Sequence, residues 1–373
     1  MSIAAATTEI AISATLAGGV STALAALLLI CERYLTKSGP CRIDLNSGKR
    51  QLDVSGGVSL LSTLNENNVF VPSACGGRGT CAYCKVKVLE GGGPIGPTEL
   101  PLLTEQEVLD NVRISCQCRV RNDLKIEISE DLLLARRFSG VVEHLKDLTA
   151  DIKELRIKLS EPGSLEFVPG QYIQLETPAY KGSPNPVSRA YSISSIPSDR
   201  AAIELVIRLV PGGICTTWVF EHLQEGDPVS FTGPFGDFRL SDSDRAMVWV
   251  AGGSGMAPFW SMIRHMKERG MDRRCRYFFG AVKQEDLLYL DQLRRMEEEL
   301  PWFTFVPALS RPAPDEDWAG ESGLITEVVD KHVESSDQFE GYLCGSPGLI
   351  DAAIEVLKSK GVDEDSIFYD KFA

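Results

Sequence analysis

Hydrophobic and polar positions follow three successive rhythms after residue 40. Residues 41–45 and 49–54 alternate with a period of two around Asn46-Ser47-Gly48, which predicts a β-hairpin. A helical spacing over 60–67 follows, then alternation again over 85–88 and 124–128, with a turn-rich surface loop at 91–97. From 138 to about 240 the runs are short, extended and separated by Gly and Pro: 139–142, 152–159, 172–175, 202–209 and 228–232. That spacing predicts an antiparallel barrel. Beyond residue 246 strands at 247–251, 277–282, 303–308 and 341–344 alternate with helices at 259–268, 287–300 and 325–331. Strand-helix alternation implies a parallel sheet with its ligand at the carboxyl ends of the strands.

Before these rhythms, residues 10–31 carry no charge and meet the requirement of about 20 residues for crossing a bilayer as a helix. The preceding residues hold Glu9 and no lysine or arginine, which argues against a cleaved signal peptide. Arg33, Lys37 and Arg42 follow, and the positive-inside rule then places the globular part on the cytoplasmic side of a cell (inner) membrane, crossed once. Small residues recur at every fourth position, Ser13, Ala17, Ser21 and Ala25 beside Ala14, Gly18, Thr22 and Ala26. Such a stripe lets another transmembrane helix approach closely, although an alanine-rich anchor also shows it by chance; it predicts an integral-membrane partner. The expected organisation is multidomain: 1–40 a membrane anchor, 41–131 an α+β domain of β-grasp type, 136–241 an antiparallel β-barrel and 246–373 an α/β parallel-sheet domain, with a linker at 132–137.

Composition narrows the function. The 373 residues include 52 acidic and 38 basic side chains, a net charge of -14, and no basic run, so nucleic acid is not an expected partner. Ten cysteines are scattered without a disulfide framework except at one place, Cys75-x5-Cys81-x2-Cys84, answered by Cys116. Three thiolates in a glycine-rich loop and a fourth from a distant element match the clamp of a plant-type [2Fe-2S] cluster, within one residue at the first gap. Zinc is the rival, since Cys81-x2-Cys84 is half of a zinc ribbon. A ribbon needs a second close pair, and Cys116-Gln117-Cys118 is too tight; Cys118 reads as a bystander. His144, His222, His265 and His332 all lie far from the loop, which excludes a Rieske centre.

The barrel segment contains Arg189-Ala190-Tyr191-Ser192. A tyrosine can stack on a flat ring, an arginine can meet a phosphate as a rigid fork, and a serine hydroxyl can reach a ring nitrogen. Such a short motif gains meaning from Gly212-Gly213-Ile214-Cys215-Thr216-Thr217, a glycine-led turn entering a helix at 218–223, whose free N–H groups make a seat for a pyrophosphate. The third segment places Gly252-Gly253-Ser254-Gly255-Met256-Ala257-Pro258 between strand and helix, a phosphate-site context without the G-x-G-x-x-G spacing. Cys344-Gly345-Ser346-Pro347 ends another strand, as a plain turn or as a small, polarizable surface leaving room for a flat ring.

Together the cysteine loop, R-x-Y-S and G-G-x-G-M-A-P resemble the ferredoxin-NAD(P) reductase superfamily fused to a plant-type ferredoxin. With the apolar segment in front, the chain is similar to the NADH-oxidising F subunits of sodium-translocating NADH:quinone reductases. Ala308-Leu309-Ser310 and the terminal Phe368-Tyr369-Asp370-Lys371-Phe372-Ala373 carry the resemblance further. It implies FAD, a [2Fe-2S] cluster held by Cys75, Cys81, Cys84 and Cys116, and NADH as donor. Arg189, Tyr191 and Ser192 would hold the flavin, with Gly213, Cys215 and Thr216 on its pyrophosphate. Gly252, Gly253, Gly255, Met256, Ala257, Pro258 and Gly345 would receive the dinucleotide. Ser192 near flavin N5, Cys344 beside the nicotinamide and Phe372 covering the ring would act in hydride transfer. Single electrons would then leave through the cluster to a membrane partner of a respiratory complex. Two rivals stay open: a reductase feeding an oxygenase or hydroxylase, and a membrane-tethered ferredoxin carrier without NADH activity. NADH is preferred over NADPH because Glu285 and Asp286 follow the strand at 277–282, although Lys283 and Arg311 are also near in sequence.

Overall fold

The computed structural model describes residues 18–27, 39–73, 75–312, 318–334 and 339–372. Residues 18–27 form a helix, α1, with Val20, Leu24 and Leu27 exposed and the Thr22 hydroxyl donating to the Gly18 carbonyl at 2.8 Å. Among the described residues no helix is long and apolar enough to cross a membrane. The rest of the expected span at 10–31 lies outside the described residues.

The chain divides into two compact units, the first formed by 39–67 with 84–129 and the second by 68–83 with 130–372. In the first unit β1 (Pro40–Leu45), β2 (Arg50–Ser55), β3 (Lys85–Glu90), β4 (Val112–Ile114) and β5 (Leu124–Glu127) build one sheet in the order β2-β1-β5-β3-β4. The β1–β2 hairpin turns where expected, with Asn46, Ser47 and Gly48 all at positive φ. Cys41, Ile43 and Leu45 alternate into the core, where Leu60, Leu61 and Leu64 of α2 (Leu60–Glu66) are also buried; Ser59 caps α2 by accepting from the Ser62 amide at 3.2 Å. With β1 parallel to β5 and antiparallel to β2, this is the β-grasp layout the alternation suggested.

Two features of this unit escape periodicity. Helix α3 (Glu105–Leu109) buries none of its residues and rests on a Thr104–Glu107 capping box, so it has no apolar stripe to read. The loop at 91–97 is clamped rather than free: buried Arg113 donates to the carbonyls of Gly92 and Gly93 at 2.6 and 3.0 Å and pairs with buried Glu99 at 2.6 Å. Burial works against the Glu99 carboxylate, but Arg113 and the amides of Gly96 and Ile114 hold its pKa below the ordinary value.

The second unit starts with α4 (Glu130–Leu134), and β6 (Arg136–Asp147) begins at once, so the expected linker at 132–137 is a short helix running into a long strand. β6 is joined by β7 (Ile152–Glu161), β8 (Tyr172–Thr177), β9 (Val187–Ser192), β10 (Ala202–Arg208) and β11 (Pro228–Phe235) in the order β10-β7-β6-β11-β8-β9. Every strand pair is antiparallel, and a bridge between Ile193 and Leu205 brings the last edge back to the first. Leu155, Ile157, Ile173, Leu175, Ile203, Leu205 and Phe231 fill the barrel and receive Trp218 and Val219 from α5 (Ile214–Glu221).

Beyond the barrel β12 (Ala246–Gly252), β13 (Cys275–Ala281), β14 (Phe303–Leu309), β15 (Glu321–Ser322), β16 (Phe339–Gly345) and β17 (Ile367–Lys371) form an all-parallel sheet in the order β15-β14-β13-β12-β16-β17. Helices α6 (Met256–Arg269) and α7 (Leu290–Glu299) cover one face, and α8 (Ile325–His332) and α9 (Pro347–Ser359) the other. Along β12 the consequence is visible: Met247, Trp249 and Ala251 enter the first layer, Val248 and Val250 the second. Barrel and sheet are stitched together by side chains. Ser261 donates to the Ser195 carbonyl at 2.5 Å, Arg264 pairs with Glu204 at 2.9 Å and reaches the Ser194 carbonyl, and Tyr289 donates to Glu154 at 2.6 Å.

Candidate functional site

The cysteine loop is shaped by backbone that few side chains tolerate. Gly76, Gly77 and Gly79 have φ of 68°, 84° and 74°, and Ala82 joins them at 57°. This curl turns amides toward sulfur: the Cys75 amide donates to Cys81 Sγ at 3.4 Å. Burial acts to raise the Cys75 thiol pKa, but hydrogen bonds from Thr80 and Cys81 prevail and hold it at about 6. Thiolates need donors of this kind, so the loop fits an iron–sulfur ligand set. In the first unit Cys84 and Cys116 hydrogen-bond to each other, which together with burial pushes the Cys84 thiol up. Ser115, next to Cys116, donates its amide to the Cys84 carbonyl at 2.8 Å and so fixes one to the other. Each of these cysteine pairs is thus found within one unit. Cys118 is buried.

A cavity of about 790 Å³ opens between barrel and parallel sheet. On the barrel side it is lined by Arg189, Tyr191 and Ser192 of β9 and by Gly212, Gly213, Ile214, Cys215 and Thr216. The helix here starts at Ile214, four residues earlier than its apolar pattern suggested, so Cys215 and Thr216 sit in its first turn. The Thr216 hydroxyl accepts from the Val210 amide at 3.1 Å and lies 3.3 Å from the Gly213 carbonyl, locking the turn. First-turn amides of a helix have no intrahelical partner and suit a diphosphate.

On the sheet side the cavity meets Gly252 at the end of β12 with Gly253, Ser254 and Ala257 beyond it, Gly280 and Ala281 at the end of β13, Ser310 after β14, and Gly345 at the end of β16. Gly255 does not line it but explains its shape: a Cβ there would stand 2.3 Å from the Cys344 carbonyl oxygen. Met256 and Pro258 are buried in α6, Met256 accepting from the Tyr277 hydroxyl at 3.0 Å. Cys344 is fully buried behind the cavity wall; burial, and then the Asp370 charge, push its thiol well up, so it is present as a neutral thiol. Phe372 reaches the cavity from the tail beyond β17, its amide donating to the Gly345 carbonyl at 2.9 Å. The volume, the arginine, and glycine turns that leave room for backbone donors suit a flavin dinucleotide and a nicotinamide dinucleotide meeting in one place.

Several lining residues lie outside the motifs that the sequence offers. Arg78, from the cysteine loop, lines the same cavity as Arg189, and a Cβ on Gly76 would lie 3.2 Å from Arg189 Nη1. Arg208, paired with Asp151 at 2.8 Å, and Asp286 also face it. Asp370 is the largest omission. Its carboxylate accepts from Ser192 at 3.5 Å, and burial pushes its pKa up to about 6. The terminal motif contains it, but only Phe372 has a role that the motif suggests.

Comparison with known proteins agrees with this geometry. Family models for a 2Fe-2S iron–sulfur cluster binding domain, an oxidoreductase FAD-binding domain and an oxidoreductase NAD-binding domain match residues 43–121, 139–240 and 249–355. Among solved structures, the cytochrome P450 reductase GcoB of Amycolatopsis superposes with a TM-score of 0.72 at 29% identity, covering 89% of this chain and 98% of that one. A ferredoxin reductase in carbazole 1,9a-dioxygenase gives 0.67 at 26%, covering 90% and 98%. The F subunit of the Na(+)-translocating NADH-quinone reductase of Neisseria meningitidis is 33% identical, over 94% of this chain and 96% of its own length. Its counterparts in Methylococcus capsulatus and Pseudomonas aeruginosa are also 33% identical over 94% of this chain. The modules, the cavity and this full-length likeness converge: the chain is an NADH-dependent oxidoreductase that uses FAD and a [2Fe-2S] cluster, and it belongs to the family of Na(+)-translocating NADH-quinone reductase F subunits.

Proposed function

We propose that the chain is the NADH-oxidising, membrane-anchored component of a respiratory NADH:quinone reductase complex, working from the cytoplasmic side of the cell membrane. Residues 1–40 anchor it, 41–131 carry the cluster on Cys75, Cys81, Cys84 and Cys116, 136–241 hold FAD, and 246–373 receive NADH. Its integral-membrane partners take the electrons, and sodium transport belongs to them. The observation that carries the reading is the single cavity joining the R-x-Y-S strand, the glycine turns and the terminal Phe372. The names of the relatives and the uncharged run at 10–31 support the membrane complex.

FAD, when bound, accepts two electrons at once from NADH and hands them on singly, which a one-electron cluster requires. The chain's residues do the rest. Arg189 would meet the diphosphate as a fork, the first-turn amides of α5 would receive it too, and Tyr191 would pack on the ring system. Ser192 supplies a hydroxyl to the reacting edge of the flavin and is oriented by Asp370. Gly252, Gly253 and Gly345 let the second dinucleotide approach the backbone, supported by Gly255, Met256, Ala257 and Pro258 beneath. Cys344, small, neutral and buried behind the wall, would leave room for the nicotinamide, and Phe372, which lines the cavity, would cover the flavin ring.

Replacing Cys81 with Ala tests the order of steps. NADH should still bleach the flavin absorbance, while one-electron output to an external acceptor falls to background. Equal loss of both activities would overturn the order. A second reading, a reductase feeding an oxygenase, is favoured by the two solved neighbours, one a cytochrome P450 reductase and the other a ferredoxin reductase in a dioxygenase. Mild detergent extraction separates them: co-purifying membrane subunits support the respiratory complex, and a lone, fully active flavoprotein supports the second.

A further inference from the structure

The proposed mechanism uses Cys116 but not what surrounds it. In the first unit its sulfur accepts a hydrogen bond from the Gln117 side-chain amide, Nε2 to Sγ 3.6 Å. The other end of that carboxamide is also engaged, because the Thr98 hydroxyl donates to Gln117 Oε1 at 3.2 Å. Turned over, the carboxamide would set its oxygen against the sulfur, two electron-rich atoms with no proton between them. A thiolate at Cys116 therefore selects the orientation in which Gln117 donates.

Both partners are held by one buried carboxylate. Glu99 follows Thr98 directly, accepts from the Gly96 amide at 3.0 Å, pairs with Arg113 at 2.6 Å and receives the Ile114 amide at 3.0 Å. The Ile114 carbonyl in turn accepts from the amides of Gln117 and Cys118 at 2.8 and 3.0 Å, which closes the turn carrying Cys116. The clamped stretch at 91–99, which the electron path otherwise leaves without a role, thus fixes Thr98 beside Gln117.

We propose that Gln117 is a positioning residue of the [2Fe-2S] centre: it donates to the thiolate of Cys116 and raises the cluster's reduction potential, with Thr98 holding the carboxamide in the donating orientation. The inference rests on the reading of Cys116 as the fourth ligand. A ligand sulfur becomes more electron-rich when the cluster holds one more electron, so a donor on it stabilises the reduced form more than the oxidised one. Groups that touch only the ligands tune a metal site in this way.

Gln117→Leu removes the donor and keeps a side chain of similar size. In the full-length protein loaded with FAD and cluster, a redox titration followed by EPR should find the one-electron reduction equilibrium about tenfold less favourable, a midpoint lower by about 59 mV. Gln117→Glu replaces the donor with a negative charge and should lower the midpoint further. Thr98→Val reaches the sulfur only through Gln117. It should shift the same equilibrium by about two- to threefold in the same direction, and by nothing more once Gln117→Leu is present. A role confined to holding the turn would lower thermal stability in these variants and leave the midpoint at its wild-type value, a result that overturns the proposal. A Thr98→Val shift that persists in full in the double variant overturns it too. If Gln117→Leu fails to take up the cluster, the midpoint of Thr98→Val decides alone. If Cys116→Ala keeps the wild-type cluster EPR signal, the assignment of Cys116 as a ligand falls instead, and this inference with it.

Discussion

The two walls of the cavity work by opposite means. The barrel wall offers side chains: a guanidinium, a phenol and a hydroxyl on one strand, Arg189, Tyr191 and Ser192. The sheet wall offers mostly backbone, because Gly252, Gly253, Gly280 and Gly345 stand at the ends of three parallel strands. A side-chain wall is weakened by deletion, since a removed donor leaves its partner unsatisfied. A backbone wall is weakened by addition, since each new Cβ occupies the space a ligand or a neighbouring strand uses.

Gly255→Val presses hardest on this contrast. A Cβ at Gly255 already falls 2.3 Å from the Cys344 carbonyl and 3.1 Å from Gly345 Cα, both backbone atoms that cannot swing aside. Overpacking of this kind costs about 1–3 kcal/mol and displaces the strand end where Gly345 sits. The expected outcome is a lower Tm together with a rise of about a hundredfold in the KM for NADH, with flavin still bound. Should flavin be lost first, the walls are not independent.

Arg189→Ala should do the reverse. Losing a charge-assisted bond of about 1.5–3 kcal/mol predicts roughly ten- to a hundredfold weaker retention of FAD, read by the flavin content of the purified protein. Protein reconstituted with excess FAD should recover most of its NADH oxidation. Ser192→Ala is milder, because the hydroxyl is placed for the reacting edge rather than for binding. We expect about a tenfold slower limiting rate of flavin reduction in stopped flow, with FAD content and KM for NADH nearly unchanged.

The same contrast explains what sequence could reveal. The three cysteines of the loop stood out because their spacing is a local property of the chain, and the R-x-Y-S strand because three unlike side chains fall within four residues. Glycine turns were legible as turns but not as a wall, because nothing in Gly255 announces that the Cys344 carbonyl lies against it. Strand positions in the parallel sheet followed from continuous apolar runs, while β15, with two residues, and β17 had too little periodicity to register. α9 buries Ile350, Ala353 and Leu357 yet stayed hidden, because Cys344-Gly345-Ser346-Pro347 reads as a turn or a site before it reads as a helix start with proline in the first turn. Asp370 and Ser192 could not have been paired from sequence, since 178 positions separate them and each has a local reason to be where it is.

Asp370 supports the subtlest prediction, and its sign follows from its environment. Burial raises its pKa to about 6 from an ordinary 3.8, and the hydrogen bond from Ser192 offsets only part of that cost. Tyr172, Tyr83 and Cys344 also face it, all neutral near pH 6 with thiol and phenol pKa values pushed up, so the carboxyl is the group there that changes charge. The folded protein therefore binds this proton more tightly than the unfolded chain. Its contribution to stability is fully present below about 3.8 and is lost as pH rises through 6. Allowing for solvent reaching a partly exposed carboxyl, the loss is of the order of 1 kcal/mol. Other carboxylates contribute their own pH dependence at lower pH, Glu340 with its pKa held at about 2 among them, so the measurement is a difference. The Tm of the wild type minus that of Asp370→Asn, followed from pH 4 to pH 7.5, should decrease mainly between the two pKa values, 3.8 and about 6, and then level. A flat difference would mean that water reaches the carboxyl freely enough to leave its pKa at the ordinary value.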